Sequence, residues 1–148
     1  MYKNIYLKRG KDESLKRFHP WIFSGAINKM DEGIAEGDIV KVFSQKGDFM
    51  AVGHYQKGTI AVRVLSFDDI AIDDAFWETR IASAFNMRKS IGIADNPANN
   101  TYRLVHGEGD YLPGLVIDCY GPTAVVQAHS VGMHYSRQAV CQALLKVM

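Results

Sequence analysis

The stretch LKRFHPWIFSGAI, residues 15–27, changes within a few positions from basic and aromatic side chains to an apolar run. Pro20 disfavours helical conformation at His19, so one or two helical turns over residues 13–18 are expected to end there. The apolar run that follows is expected to form a strand with at least one buried face. The stretch therefore predicts a short helix with exposed basic side chains that leads into a core strand.

Short apolar runs separated by turn residues continue on both sides of this stretch. They are NIYLK (4–8), GDIVKVFSQ (37–45), GDFMAVGHYQ (47–56) and TIAVRVLSF (59–67). The segment 45–48, Gln-Lys-Gly-Asp, separates two of them as a hairpin turn would. Strands at this spacing with glycine turns predict a small β-barrel over residues 1–72.

The second half of the chain has a different pattern, which begins at the acidic pair Asp73 and Asp74. Carboxylates favour the first turn of a helix, and a helix is predicted from here to about Gly92. Five residues follow helical spacing, four of them apolar: Trp77, Ile81, Ala84, Phe85 and Arg88. Three strands are expected over 101–107, 115–121 and 124–130, and an amphipathic helix from about Met133. The apolar stripe of that helix runs to the last residues, so more protein is expected to follow.

Positive charge is concentrated near the start of a chain whose net charge is only +1. Residues 1–30 hold seven lysines and arginines against two acidic residues, a net charge of +5. Such a face is typical of proteins that bind an anionic partner such as nucleic acid. A solvated charged face is the alternative that charge alone leaves open.

The rest of the composition narrows the class of protein. Two cysteines argue against a secreted disulfide scaffold, and the first residues lack the apolar stretch of a secretory signal. No apolar run approaches the ~18 residues of a membrane-spanning helix. We therefore expect a cytoplasmic protein with no membrane association.

Residues capable of catalysis are present, but they form no recognised catalytic motif. The glycine-rich stretch HGEGDYLPG, residues 106–114, matches neither the dinucleotide-binding nor the P-loop pattern. The histidines and cysteines lack metal-ligand spacing, so no metal site is predicted. Cys119 lies in an apolar run and Cys141 has no basic neighbour, so no catalytic residue is assigned.

Four residues near the glycine-rich stretch leave one catalytic alternative open, a small hydrolase. They are His106, Glu108, Asp110 and Asp118. Catalysis would require two of these groups to converge in one pocket. An ion pair between Arg103 and one of the carboxylates is the structural alternative.

Several stretches, in this order, resemble the N-terminal PUA domain of S-adenosylmethionine-dependent RNA methyltransferases of the bacterial large-subunit rRNA cytosine-C5 type. They are LKRGKDESLKRFHPWIFSGAI (7–27), GDIVKVFSQKGDFMAVGHY (37–55) and TIAVRVL (59–65). NTYRLVHGEGDYLPGLVIDCYG (100–121) is similar to the central linking domain of that family. The resemblance implies an α+β chain with an N-terminal PUA-like β-barrel (1–72) and a small mixed α/β linking domain (73–148). It further implies that the catalytic Rossmann-like domain is missing.

The resemblance also implies which partners and residues carry the function. RNA, here ribosomal RNA, and the missing methyltransferase domain are the implied partners, and a homodimer is a further expectation. The chain itself is expected to bind RNA without catalysis or cofactor, and S-adenosylmethionine is expected for the full-length protein. The implied RNA-binding residues are Arg9, Lys11, Lys16, Arg17, His19, Ser24 and Gly25. A standalone PUA-type RNA-binding adaptor is the alternative reading.

A second set of residues is implied to lie near the substrate or to hold the catalytic domain in position. These residues are Arg103, Glu108, Asp110 and Asp118.

Overall fold

The computed structural model describes all residues from 1 to 148, which fold into two compact units. The first unit comprises Met1–Ile70 together with Ser130–Gly132. The second comprises Ala71–His129 and Met133–Met148. The chain combines three helices with two separate sheets, which confirms the predicted α+β class.

A six-stranded sheet forms most of the first unit. Its elements are β1 (Lys3–Leu7), α1 (Glu13–Lys16), β2 (Trp21–Phe23), a 3-10 turn (Ser24–Ala26), β3 (Ile27–Met30), β4 (Ile39–Phe43), β5 (Phe49–Tyr55) and β6 (Ile60–Ser66). The strand order is β2-β6-β5-β4-β1-β3, and β1 and β4 form the parallel pair. The sheet curls into a half-barrel, in agreement with the small β-barrel predicted for this part of the chain.

The stretch that opened the sequence analysis explains why this sheet curls. Strands β2 and β3 lie at opposite edges of the sheet, yet only the three residues Ser24–Ala26 separate them in sequence. A connection this short brings the two edges together, because each residue spans at most about 3.6 Å. The predicted single strand over the apolar run is therefore wrong, and two strands joined by a tight turn replace it.

Side chains from five of the strands and from α1 fill the interior of the half-barrel. Ile5, Val40, Val42 and Val62 are fully buried there. Leu15 of α1 is only 2% exposed and joins the same cluster, so it holds the short helix against the sheet. Full burial of such a side chain stabilises the fold by about 1.5–3 kcal/mol.

His54 is the one ionisable side chain buried in the first unit. Burial, with a smaller contribution from the charge of Arg63, lowers the pKa of His54 to about 4. The segment Ser130–Gly132 packs at this point, and a Cβ on Gly132 would overlap the His54 ring. The backbone N–H of Val131 donates to Oε1 of Gln56 over 3.0 Å. His54 therefore remains a neutral imidazole at physiological pH.

The second unit combines helices with a three-stranded antiparallel sheet in the order β7-β8-β9. Its elements are α2 (Asp74–Ser90), β7 (Thr101–His106), a 3-10 turn (Gly107–Asp110), β8 (Leu115–Tyr120), β9 (Thr123–Ala128) and α3 (Val131–Val147), whose first residues belong to the first unit. The Asp73 side chain caps α2 by accepting from the Phe76 N–H over 3.0 Å, close to the predicted start. Helix α3 begins two residues earlier than predicted. Neither of these long helices has an apolar stretch sufficient to cross a membrane.

Candidate nucleic-acid interface

The segment from residue 8 to residue 19, called the basic turn here, is fixed by backbone hydrogen bonds and one buried side chain. The Lys8 N–H donates to the Ala26 carbonyl over 2.8 Å, and the Lys11 N–H donates to the Lys8 carbonyl over 3.0 Å. The buried side chain of Leu15 packs α1 against the core of the sheet. The basic turn is therefore held against the 3-10 turn Ser24–Ala26 while its charged side chains point away from the core.

The charged groups of the basic turn are largely free of internal partners. Arg9, Lys11 and Arg17 are exposed, and none of them takes part in an ion pair or a side-chain hydrogen bond. Lys16 pairs with Asp12 over 3.4 Å, but its side chain is 59% exposed. Exposed pairs of this kind contribute little to stability, so an anionic ligand can compete for Lys16.

His19 differs from the four basic residues because its ring is engaged locally. The backbone N–H of Trp21 donates to Nδ1 of His19 over 3.1 Å. Nδ1 also lies 3.2 Å from the Trp21 carbonyl oxygen, so this nitrogen contacts the backbone whichever tautomer the ring adopts. The predicted contact of His19 with RNA stays a prediction, with Nε2 as the ring nitrogen that is not engaged with Trp21.

Ser24 and Gly25 lie in the 3-10 turn and are exposed. The Ser24 N–H is bonded to the Thr59 carbonyl over 2.9 Å, so its backbone is fixed while the residue remains accessible. A Cβ placed on Gly25 would meet no atom within 4 Å. Nothing in the fold therefore requires glycine here, and the open space beside it is available to a ligand.

An open cleft of about 310 Å³ lies between α1 and the 3-10 turn. Its lining residues are Lys11, Ser14, Leu15, Ile22, Phe23, Gly25 and Ala26. Lys11 and Gly25 were predicted from the sequence as RNA-binding residues, whereas Ser14 and Phe23 were not. Phe23 is 44% exposed on the edge strand β2, and its position in an apolar run concealed this exposure.

In the second unit, Asp110 is committed to a buried ion pair. Both of its carboxylate oxygens accept from the guanidinium of Arg88, with 2.9 Å between Nη2 and Oδ2. Oδ2 also accepts from the His106 N–H over 2.7 Å, and Nε of Arg88 donates to the Arg103 carbonyl over 3.1 Å. The sequence analysis did not pair Arg88, although its place in the apolar stripe of α2 was the available signal.

Arg103 and Asp118 form the cross-strand ion pair that the sequence analysis kept as an alternative. They face each other on β7 and β8, with Nε 2.8 Å from Oδ1 and Nη2 3.2 Å from Oδ2. These hydrogen bonds from Arg103 hold the pKa of Asp118 below its usual range. Nδ1 of His106 lies 3.3 Å from Nη1 of Arg103. Glu108 accepts from the Gly114 N–H over 3.3 Å.

Each of the three carboxylates is bound by a separate partner. None of them lines the cleft at the basic turn or the apolar groove that Cys119, Val126, Cys141 and Leu144 help to form. No cluster of histidine, cysteine, aspartate and glutamate could hold a metal ion. Burial raises the pKa of the Cys119 thiol, which disfavours its nucleophilic form. Both carboxylates of the glycine-rich stretch 106–114 are engaged, Asp110 with Arg88 and the His106 N–H, and Glu108 with the Gly114 N–H.

Comparisons with known proteins agree with this description. The family model of the PUA-like domain matches residues 5–67. "Ribosomal RNA large subunit methyltransferase I" of Klebsiella pneumoniae is 37% identical over 146 residues, and that of Escherichia coli is 38% identical. Each match covers 97% of this chain but only 36% of the relative.

Solved structures show the same fold at lower identity. A protein described as a SAM-dependent methyltransferase from Streptococcus mutans has a TM-score of 0.82 at 17% identity. The match covers 99% of this chain and 38% of the chain of that protein. A methyltransferase complexed with SAH has a TM-score of 0.83 at 18% identity, covering 99% and 37%. The chain thus contains a PUA-like domain, and it is homologous to a segment that makes up about a third of the length of large-subunit ribosomal RNA methyltransferase I.

Proposed function

We propose that this chain is the RNA-binding part of an S-adenosylmethionine-dependent ribosomal RNA methyltransferase that acts on C5 of cytosine. The chain binds RNA in the cytoplasm, whereas methyl transfer belongs to another domain of the complete enzyme. Homology to the rRNA methyltransferases supports the substrate class, and the PUA-like domain supports RNA binding. The observation that carries the proposal is the set of exposed, unpaired cations beside an open cleft.

Phosphate contacts explain why unpaired cations matter. Each lysine or arginine that neutralises a phosphate releases counterions, so affinity falls steeply as salt rises. Cations already paired with carboxylates contribute less, because the internal partner must first be displaced. Arg9, Lys11 and Arg17 have no internal partner, and the exposed pair of Lys16 is weak. The basic turn is therefore the part of the first unit best prepared to hold an RNA backbone, with Ser24 and Gly25 as the adjoining wall.

The test is a titration of the chain with a structured ribosomal RNA fragment over a series of salt concentrations. The variant Lys16→Glu/Arg17→Glu should weaken binding at least tenfold and lower the slope of log K against log salt by about one to two units. The control Lys46→Glu/Lys57→Glu makes the same charge change at exposed lysines outside the basic turn. Equal behaviour of the two variants, or no salt-dependent binding, would overturn the proposal. Binding of S-adenosylmethionine by the chain alone would contradict the proposal that methyl transfer takes place in another domain.

The paired residues of the second unit have a positioning role in this proposal. Arg103, Asp110 and Asp118 stiffen the turn and strands that adjoin the catalytic domain of the complete enzyme, and Glu108 holds the turn at Gly114. A homodimer of the complete enzyme is part of the same proposal. The variant Glu108→Ala should lower methylation by the full-length enzyme, and unchanged activity together with unchanged stability would remove this role.

A further inference from the structure

The cleft between α1 and the 3-10 turn has two kinds of surface. Leu15 and Ile22, both nearly fully buried, supply its apolar lining together with the exposed ring of Phe23. Lys11 and the hydroxyl of Ser14 supply polar groups to the same cleft. A ligand that fits both surfaces has a flat apolar face, a polar edge and a negative charge close by.

Phe23 is held in place although its ring is exposed. Its centroid lies 6.4 Å from that of Trp21 in an edge-to-face arrangement, and 6.1 Å from that of His19. Such contacts fix the ring orientation before a ligand arrives. An exposed, pre-oriented aromatic face beside cations is the arrangement on which unpaired bases stack in RNA-binding proteins.

We infer that the cleft seats one unpaired nucleobase of the RNA, with Phe23 as its stacking face. Lys11 then contacts the adjoining phosphate, and the Ser14 hydroxyl contacts the polar edge of the base. The missing side chain at Gly25 leaves the entrance open to the sugar–phosphate backbone. This inference rests on the proposed function and adds to it a requirement for an unpaired base.

The experiment uses single-stranded RNA oligonucleotides with one central position occupied by 2-aminopurine, by an ordinary base or by an abasic sugar. The fluorescence of 2-aminopurine should fall when the chain binds, because stacking quenches it. Replacing the base by the abasic sugar should weaken binding roughly 5- to 150-fold, the range expected from one lost stacking contact. The salt slope should not change, because the phosphates remain.

Three variants locate the effect within the chain. Phe23→Leu keeps an apolar side chain but removes the ring, and it should weaken binding of the base-containing oligonucleotide to the level of the abasic one. Gly25→Leu places a bulky group beside the cleft at an exposed position, and it should have the same effect. The control Tyr135→Ala removes another exposed ring, 66% accessible, that lies on α3 and does not line the cleft. It should leave binding and quenching unchanged.

The outcomes separate this inference from the proposed function. Salt-dependent RNA binding that ignores both the abasic change and Phe23→Leu would overturn the inference and leave the proposed function intact. No RNA binding at all would overturn both. A change in oligomeric state on Phe23→Leu, seen by light scattering with RNA binding unaffected, would instead assign the cleft to a second copy of the chain.

Discussion

The two units use charged side chains in opposite ways. In the first unit, the buried ionisable group, His54, is neutral, and the cations of the basic turn are exposed without strong partners. In the second unit, the buried groups Arg88 and Asp110 are charged and paired. The difference teaches that a basic residue indicates a ligand only when it does not already form a buried ion pair with a carboxylate of the same chain.

Removing Arg88 is the strongest test of this comparison. Arg88→Met leaves the Asp110 carboxylate buried without its partner, which should lower the free energy of unfolding by about 3–5 kcal/mol. Urea denaturation measures the change. The control Arg17→Met removes an exposed cation and should stay within about 0.5 kcal/mol of the parent. The double variant Arg88→Met/Asp110→Asn removes the uncompensated charge but keeps an oxygen to accept from the His106 N–H, so it should recover part of the loss. No recovery would show that the unpaired charge is not the cause.

Acidic pH should lower the free energy of unfolding, because His54 is buried as a neutral imidazole. The unfolded chain takes up a proton near pH 6.5, whereas the folded chain does so only near pH 4. The titration of His54 therefore leaves the free energy of unfolding unchanged above pH 6.5. It lowers that free energy by about 3 kcal/mol in all as the pH falls toward 4. Chemical denaturation at a series of pH values measures this slope. His54→Gln should flatten the slope over that window, and an unchanged slope in the variant would assign it to other groups.

The exposed pair of Arg103 and Asp118 should give the smallest effect. Arg103→Gln removes the hydrogen bonds that lower the pKa of Asp118. The stabilising contribution of Asp118 is present above its unfolded pKa and is lost as pH falls through the lower folded value. Because Arg103 is exposed, thermal melts at pH 7 should shift by only a few degrees at most. The carboxyl resonance of Asp118 followed by NMR should titrate at higher pH in the variant, and an unchanged titration would contradict the pairing.

Local patterns allowed most of the fold to be predicted. Along β4, buried residues alternate with partly exposed ones, a period of two that a sequence displays directly, whereas β5 and β6 contain runs of four and three consecutive buried residues. Asp73 similarly predicted the start of α2, because capping is a contact over three residues. The break between β2 and β3 was missed, because it results from the pairing of each strand with a different edge of the sheet. No local pattern encodes that pairing.

The contacts of the candidate site were harder to predict, because they also depend on which strands pair and in which register. The sequence shows that Arg103, Asp110 and Asp118 carry charge, but only strand register decides which of them meet. Phe23 could not be distinguished from a core residue, because the apolar run does not show which of the two alternating faces of the strand is buried. Arg88 was visible as a cation in an apolar stripe. That signal indicates a buried partner without identifying Asp110, 22 residues away.

The segment Ser130–Gly132 has a consequence for the order of events during synthesis. The first unit includes this segment, whose Val131 N–H bonds to Gln56 and whose Gly132 packs on His54. A ribosome must therefore make about 60 further residues after Ile70 before the first unit has all of its chain. Strands β7 to β9 are translated in that interval. The growing polypeptide thus completes its N-terminal unit only after most of the next one has been made.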